Sequence, residues 1–305
     1  MQSTHFQGAC LYMPANHTAL REIASGERLP GLRAAVACFE DALDERDIDE
    51  ALRLLAALPR ARPTGLALYV RPRSVAMLQQ LLASTNETAI AGFVLPKFGT
   101  ATLERWFAAL GGTATRIMPI LETADVFDPL RVRDIVDSLS DAAWAPRIDA
   151  VRLGAVDLYS LLGGRRPPRK TIYDTVLGPT LRSVATQLMA RGLAVTGPAC
   201  ETIHGDAVVR AEIALDVEAG FVGKTAVHPA QVPLINNAFR VTAGEVDEAQ
   251  RLLHGPAVFV VDGRMCERAP HRRWAECILN RARTFGVVGR EATGSMTLLS
   301  PSRLR

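Results

Sequence analysis

The stretch RIMPILET at residues 116–123 shows in eight residues the pattern on which the fold of this chain depends. A short apolar run, long enough for one buried strand, ends abruptly in Glu122 and Thr123. Similar apolar runs recur along the chain, and a segment with helical periodicity follows each of them. This alternation is typical of strand–helix units that build a parallel sheet.

Eight apolar runs are predicted as strands, and their starts are separated by roughly 23 to 45 residues, the room that a strand, a helix and two loops require. A nucleotide-binding doubly wound sheet is disfavoured because the first turn, PANH at 14–17, lacks Gly-x-Gly. We therefore predict an α/β (β/α)8 TIM barrel. The predicted strands are residues 9–13, 34–39, 65–70, 90–95, 116–121, 150–153, 194–196 and 221–226.

The pattern changes near residue 240, which predicts a catalytic barrel over residues 1–240 and a C-terminal helical extension or lid over 241–305. The extension contains two helical segments around an apolar run at 257–261. It is expected to be too short to bury a good core of its own.

Composition excludes several classes of protein. Thirty-five Lys and Arg against 32 Asp and Glu leave a formal charge of +3, which gives no support for a nucleic-acid partner. The apolar stretches fall far short of the roughly 20 residues that a membrane span needs, and residues 1–17 show no basic start followed by an apolar core, so we do not expect them to be a secretory signal. We predict a cytoplasmic protein with neither a nucleic-acid nor a membrane partner.

The active site of a TIM barrel is built from residues at the carboxyl ends of its strands. Carboxylates that meet there repel each other unless a cation lies between them, and Mg²⁺ is held by one or two carboxylates with waters and substrate oxygens. Glu122 and Asp157 are the predicted metal ligands. The charged residues that follow predicted strands are Glu40, Asp41, Arg71, Lys97, Glu122 and Asp157.

Each of these residues also has a simpler interpretation. Arg71 offers a planar guanidinium that can clamp a substrate carboxylate, but it can equally bridge to Glu40 or Asp41. Lys97 can bind substrate or balance neighbouring carboxylates. Glu122 and Asp157 could instead cap the helices that follow them, and Glu40 and Asp41 could form surface ion pairs. The basic loop RRPPRK at 165–170 could meet a phosphate or be a solvated loop.

Several segments, spread in order over about residues 9 to 283, resemble motifs of the HpcH/HpaI aldolase and citrate lyase β-subunit superfamily. They include the acidic second-strand motif and two metal-binding segments. The matching segments are LYMPAN at 11–16, FEDA at 39–42, VLPK at 94–97, ILETA at 120–124, GAVDL at 154–158 and GKTAVHPAQ at 223–231.

The resemblance implies a Mg²⁺-dependent carbon–carbon lyase or aldolase that acts on a 3-hydroxy acid or its CoA thioester and has a keto acid as the other product. It assigns the metal to Glu122 and Asp157, and the substrate carboxylate to Arg71. Glu40 and Asp41 are implied to order metal-bound waters, and Lys97 is expected near the substrate.

A C-terminal segment, GRMCE at 263–267, resembles the lid motif Gly-x-Met-x-Asp of malyl-CoA lyases. The resemblance implies that Glu267 is an acid lent to a neighbouring subunit, and hence a homotrimer or homohexamer. Glu267 could also anchor the lid by an ion pair. Two other functions stay open: a barrel enzyme that uses phosphoenolpyruvate or pyruvate, and a non-catalytic keto-acid- or CoA-binding subunit of a larger complex.

Overall fold

The computed structural model describes residues 7–41, 43–58, 65–84, 90–203, 206–290 and 296–299. Eight parallel strands form a closed barrel in which strands adjacent in sequence pair, and the last pairs with the first. The predicted TIM barrel is confirmed, and every predicted strand overlaps an observed one. The strands are β1 Gly8–Pro14, β2 Ala34–Cys38, β3 Ala67–Arg71, β4 Gly92–Leu95, β5 Arg116–Leu121, β6 Val151–Leu153, β7 Val195–Gly197 and β8 Gly223–Ala226.

Helices follow the strands, and local sequence explains where they begin. At α5, for example, the carboxylate of Asp128 accepts a hydrogen bond from the backbone N–H of Leu130, and Pro129 takes the first helical position. No helix in the described ranges is long and apolar enough to cross a lipid bilayer. The helices are α1 Leu20–Ala24, α2 Ile48–Ala56, α3 Val75–Ser84, α4 Leu103–Leu110, α5 Pro129–Leu139, α6 Ala155–Leu161, α7 Gly178–Ala190, α8 Asp206–Glu218 and α9 Gln231–Ala238.

A buried ionic cluster lies between β8 and α8, and we define it as Lys224, Glu212, Asp216, Arg166 and Tyr173. The ammonium of Lys224 donates to Glu212 Oε1 and to Asp216 Oδ2, both at 2.8 Å. Arg166 pairs with the Glu212 carboxylate, and the Tyr173 hydroxyl donates to Asp216. The two carboxylates are fully buried and lie one helical turn apart on α8, so both face the sheet.

The buried ionic cluster includes residues from two basic stretches of the sequence. Lys224, in the GKT stretch at 223–225, is only 1% exposed, so its ammonium is not accessible to a phosphate. Arg166, in the basic loop at 165–170, is also buried by its pairing with Glu212. One positive charge of this loop therefore has a structural role in the folded protein.

The chain divides into two compact units, Gln7–Ile235 and a second unit that starts at Asn236. The second unit contains the expected helices and, in addition, a hairpin of β10 with β11 and a sheet in the order β13-β12-β9. That this second unit acts as a lid stays a prediction. Its elements are β9 Val241–Thr242, α10 Ala243–His254, β10 Val258–Val261, β11 Arg264–Glu267, α11 Arg268–Phe285, β12 Val287–Arg290 and β13 Met296–Leu299.

The second unit has its own hydrophobic core, so the expectation of a poorly buried appendage is wrong. Buried side chains from both helices and from strands pack together, among them Leu252 of α10, Phe259 of β10 and Ile278 of α11. The paired strands supply the apolar surface that two helices alone would lack.

Replacing Lys224 by methionine tests the buried ionic cluster. Lys224→Met leaves two fully buried carboxylates with one cation fewer, and removing one partner of a buried ion pair costs about 3–5 kcal/mol. We expect a large drop in the urea midpoint of unfolding. The control is Arg191→Met, which breaks an exposed pair with Asp137 and should cost under about 1 kcal/mol. Equal, small losses in both variants would contradict the structural role.

Candidate active site

Arg71 lies at the centre of the barrel mouth, where it is the last residue of β3 and only 8% exposed. Its Nη2 lies 3.3 Å from Glu122 Oε1 and 3.7 Å from Asp41 Oδ2, and it pairs more closely with Glu40. The bridge to Glu40 and Asp41 therefore exists. Through these ion pairs, Arg71 connects the residues that follow β2 and β5 to the end of β3.

Lys97 follows β4 by two residues and lies in the left-handed region, with a φ of 49°. Its backbone N–H donates to Glu122 Oε1 at 2.9 Å, while its ammonium pairs with Asp157 and lies 3.9 Å from Glu40 Oε1. A non-glycine residue in this region costs about 1–3 kcal/mol and persists only where surrounding contacts hold it. Lys97 thus contacts three carboxylates, that of Glu122 through its backbone and the other two through its ammonium.

Neither predicted metal ligand caps a helix, so that alternative is wrong for both. Asp157 is the third residue of α6, whose N-cap is Gly154. Glu122 directly follows β5 and precedes a short 3₁₀ turn whose N-cap is Thr123. Their position at the barrel mouth is therefore not explained by a capping role.

Gly154 allows Glu122 to occupy its position, a contribution that the sequence analysis missed. A Cβ at residue 154 would lie 2.5 Å from both the Cβ and the Oε2 of Glu122, closer than real Cβ contacts. The backbone between β6 and α6 therefore lies directly against the carboxylate. A glycine just before the Asp157 segment was the available signal.

Burial changes the protonation of two carboxylates in the mouth. Glu122 is 4% exposed, and desolvation raises its pKa to about 7, although the Arg71 guanidinium opposes the shift. Desolvation likewise raises the pKa of Glu40 to about 7 against the opposing effect of Arg71. Additional positive charge nearby would stabilise the ionised form of both groups.

The donor chemistry of the mouth fits a hard divalent cation. In the part of the chain that the structure describes, the ion pairs of four carboxylates, those of Glu40, Asp41, Glu122 and Asp157, are shared between two cations, Arg71 and Lys97. Among the described residues, no group of three or more His, Cys, Asp or Glu side chains is placed to hold a metal ion, so protein side chains alone do not form a site of three or more ligands. Mg²⁺ does not require one, because it binds through one or two carboxylates and keeps waters.

Glu267 belongs to the second unit, where it ends β11 and precedes α11. The turn that precedes β11 consists of Asp262 and Gly263, and both residues have positive φ, 47° and 75°, as a two-residue hairpin turn requires. Arg264 and Met265 already belong to β11. Glu267 is partly exposed, and its catalytic role stays a prediction.

Residues 1–287 match the model of a protein family described as C-C bond lyase of the TIM-barrel fold. The chain belongs to this family. The match covers the barrel and most of the second unit, and the resemblance inferred from the strand-end motifs is confirmed at the level of the family.

Known relatives of this C-C bond lyase family member agree with the assignment. A (3S)-malyl-CoA thioesterase of Cereibacter sphaeroides is 26% identical over 205 residues, which are 60% of this chain and 70% of the relative. A citrate lyase of Burkholderia xenovorans superposes with a TM-score of 0.73 at 17% identity, covering 95% of this chain and 96% of the other.

A third comparison is with the protein CitE of Mycobacterium tuberculosis, crystallised with magnesium, acetoacetate and coenzyme A. It has a TM-score of 0.67 and 19% identity, and the match covers 91% of this chain and 98% of CitE. At such identities the two superpositions show a common fold.

Adding one methyl group at Gly154 tests the contact with Glu122. Gly154→Ala should displace the carboxylate and weaken Mg²⁺ binding at least tenfold, measured by calorimetry. The control is Gly244→Ala in α10, where a Cβ has no neighbour closer than 4.0 Å and should leave both stability and Mg²⁺ affinity intact. Unchanged Mg²⁺ affinity in Gly154→Ala would show that the position of Glu122 does not matter for the metal.

Proposed function

We propose that this family member is a Mg²⁺-dependent carbon–carbon lyase that cleaves or forms a 3-hydroxy acid or its CoA thioester, with a keto acid as the other product. The observation that carries the proposal is the arrangement of Glu122 and Asp157 around Arg71 and Lys97 at the barrel mouth. The magnesium, acetoacetate and coenzyme A bound to CitE, a protein of the same fold, support it.

Glu122 and Asp157 are the residues that would hold the ion. When bound, Mg²⁺ supplies Lewis-acid stabilisation of negative charge on a substrate oxygen. Glu40 lies beside this pair, is joined to both cations of the mouth, and suits the role of ordering waters around the site.

Arg71 is suited to hold the keto-acid carboxylate. All three of its carboxylate contacts use Nη2, whereas Nη1 has only a 4.0 Å contact with the sulfur of Cys38 among its described contacts. Donor capacity on Nη1 is therefore left for a substrate. A guanidinium fixed in this way fixes the orientation of the carboxylate, because its donors lie in one plane.

Lys97 contributes a movable positive charge. Its side chain is 42% exposed although its backbone is held by Glu122, so the ammonium can exchange between protein carboxylates and a substrate anion. It neutralises Asp157 and Glu40 in the absence of substrate. Substrate binding at Lys97 and Arg71 would favour acidic compounds over neutral ones.

Glu267 is proposed as the acid that protonates the carbon released on cleavage, acting on the site of a neighbouring subunit in a homotrimer or homohexamer. Its carboxylate belongs to a hairpin–helix junction, and exposed apolar side chains on the same hairpin, Val258, Val260 and Met265, suit contact with another chain.

Titration of keto acids tests the proposed site. Pyruvate, oxaloacetate and glyoxylate are titrated by calorimetry with and without Mg²⁺ into the wild type and the double variant Glu122→Gln, Asp157→Asn. We expect binding that depends on Mg²⁺ and is at least tenfold weaker in the double variant, because two anionic ligands become neutral. The control is Asp137→Asn, which removes an exposed carboxylate of α5.

Binding of no keto acid by the wild type in the presence of Mg²⁺ would disprove the proposed substrate class. Tight binding without turnover of any hydroxyacyl-CoA would instead favour the non-catalytic binding subunit.

A complementation experiment tests Glu267. Glu267→Gln should lower turnover by roughly 10² to 10⁴, the usual worth of a general acid, with keto-acid affinity unchanged. If the residue acts across subunits, mixing this variant with Glu122→Gln should restore part of the activity in mixed oligomers. The control Glu276→Gln removes an exposed carboxylate of α11 and should stay fully active. Full activity of Glu267→Gln would refute the role.

A further inference from the structure

Tyr12 and Arg152 meet inside the barrel. They lie on β1 and β6, which are separated around the barrel by β7 and β8, so their contact crosses the interior. The guanidinium carbon of Arg152 lies 5.2 Å from the centroid of the Tyr12 ring, and Nη2 donates to Thr225 Oγ1 of β8 at 2.6 Å. Side chains of three strands thus join beneath the mouth.

Arg152 carries a buried positive charge without an acidic partner. It is 2% exposed, and within the ranges that the structure describes no carboxylate forms an ion pair with it; its guanidinium also contacts the sulfur of Met118 at 3.7 Å and the thiol of Cys10. Burying an unpaired charge costs several kcal/mol, so an uncompensated guanidinium in a core is expensive to keep. The ring of Tyr12 is the aromatic group that this charge faces.

Tyr12 is the exposed end of this pair. It is partly exposed although Arg152 is buried, and no described residue forms a hydrogen bond with its hydroxyl. Burial raises the pKa of Tyr12 above its ordinary value, and the charges of Arg152 and Arg71 oppose this shift. The hydroxyl is therefore a neutral donor at physiological pH, flanked by two cations and without an acceptor.

The mouth is electrostatically divided. The side formed by β2, β5 and α6 carries the carboxylates that suit a metal, whereas the interior beside β1 and β8 offers the Tyr12 hydroxyl backed by Arg152. We infer that Tyr12, backed by Arg152, is a second anion subsite that receives the distal carboxylate of a keto diacid. The inference rests on the proposed function, which assigns the near carboxylate to Arg71.

The substrate class that follows is a four-carbon keto diacid in preference to a keto monoacid of equal length. Oxaloacetate and 2-oxobutyrate form a matched pair, since a carboxylate in the first replaces a methyl group in the second. A hydrogen bond from a neutral donor to a charged acceptor contributes enough to give roughly tenfold or greater discrimination.

Calorimetry in the presence of Mg²⁺ tests the subsite through the ratio of the two affinities. We expect the wild type to bind oxaloacetate at least tenfold more tightly than 2-oxobutyrate. Tyr12→Phe should reduce this ratio about tenfold and change 2-oxobutyrate affinity less than twofold. Tyr69→Phe is the control, because it removes another interior hydroxyl, bonded to Asp149 at 2.7 Å, and should keep the wild-type ratio.

A wild type that binds both compounds equally, or a Tyr12→Phe variant that keeps the full ratio, would overturn the subsite and leave the proposed function intact. A wild type that binds neither compound would overturn the proposed function itself. Arg152→Met gives a second reading of the subsite if it folds, with the same loss of discrimination expected; Tyr12→Phe, which changes one oxygen atom, decides the question without it.

Discussion

Repulsion between carboxylates at the barrel mouth is the constraint on which the rest of the site depends. Four negative charges converge there because the strands that carry them end at one face. Among the residues that the structure describes, Arg71 and Lys97 supply the positive charge; Arg71 is fixed by burial, and Lys97 is anchored through its backbone. Burial raises the pKa of Glu40 and Glu122 to about 7, and the Arg71 guanidinium opposes the shift without cancelling it. The mouth is thus built for a further positive charge.

The buried ionic cluster shows the opposite solution to the same problem. There, Glu212 and Asp216 face Lys224 and Arg166, so two negative charges meet two positive ones, and Tyr173 donates one more hydrogen bond. Each of these side chains pairs with another member of the cluster, and all of them are buried. A closed network of this kind stabilises one arrangement of the loop and helix, whereas the open network of the mouth can recognise ions and acids.

The sequence predicts the barrel and most of its mouth because both depend on local patterns. A buried strand such as residues 116–121 is recognised as a nearly continuous apolar run. The polar residue that directly follows such a run is expected at the rim of the barrel. The role of Gly154 is not predictable in the same way, because it depends on how closely the backbone of β6 approaches Glu122. The pairing of Arg166 with Glu212 joins residues 46 positions apart, and no local period encodes that contact.

The core of the second unit is not predictable from local patterns either. Its strands are short and are interrupted by turns, so their pairing and the core that they cover become visible only in three dimensions. Tyr12 and Arg152 are a similar case, since each looks like an ordinary strand residue until the barrel closes.

The junction between β6 and α6 has a consequence for how this chain can vary in length. Gly154 alone separates the strand from the helix that carries Asp157. Each residue of a helix is rotated by roughly 100° from the one before it, so a single insertion there would turn Asp157 away from Glu122 and Lys97. Surface loops elsewhere in a barrel accommodate insertions and deletions readily, but this junction cannot. A fixed spacing between β6 and Asp157 therefore distinguishes family members that keep the site from members that have lost it.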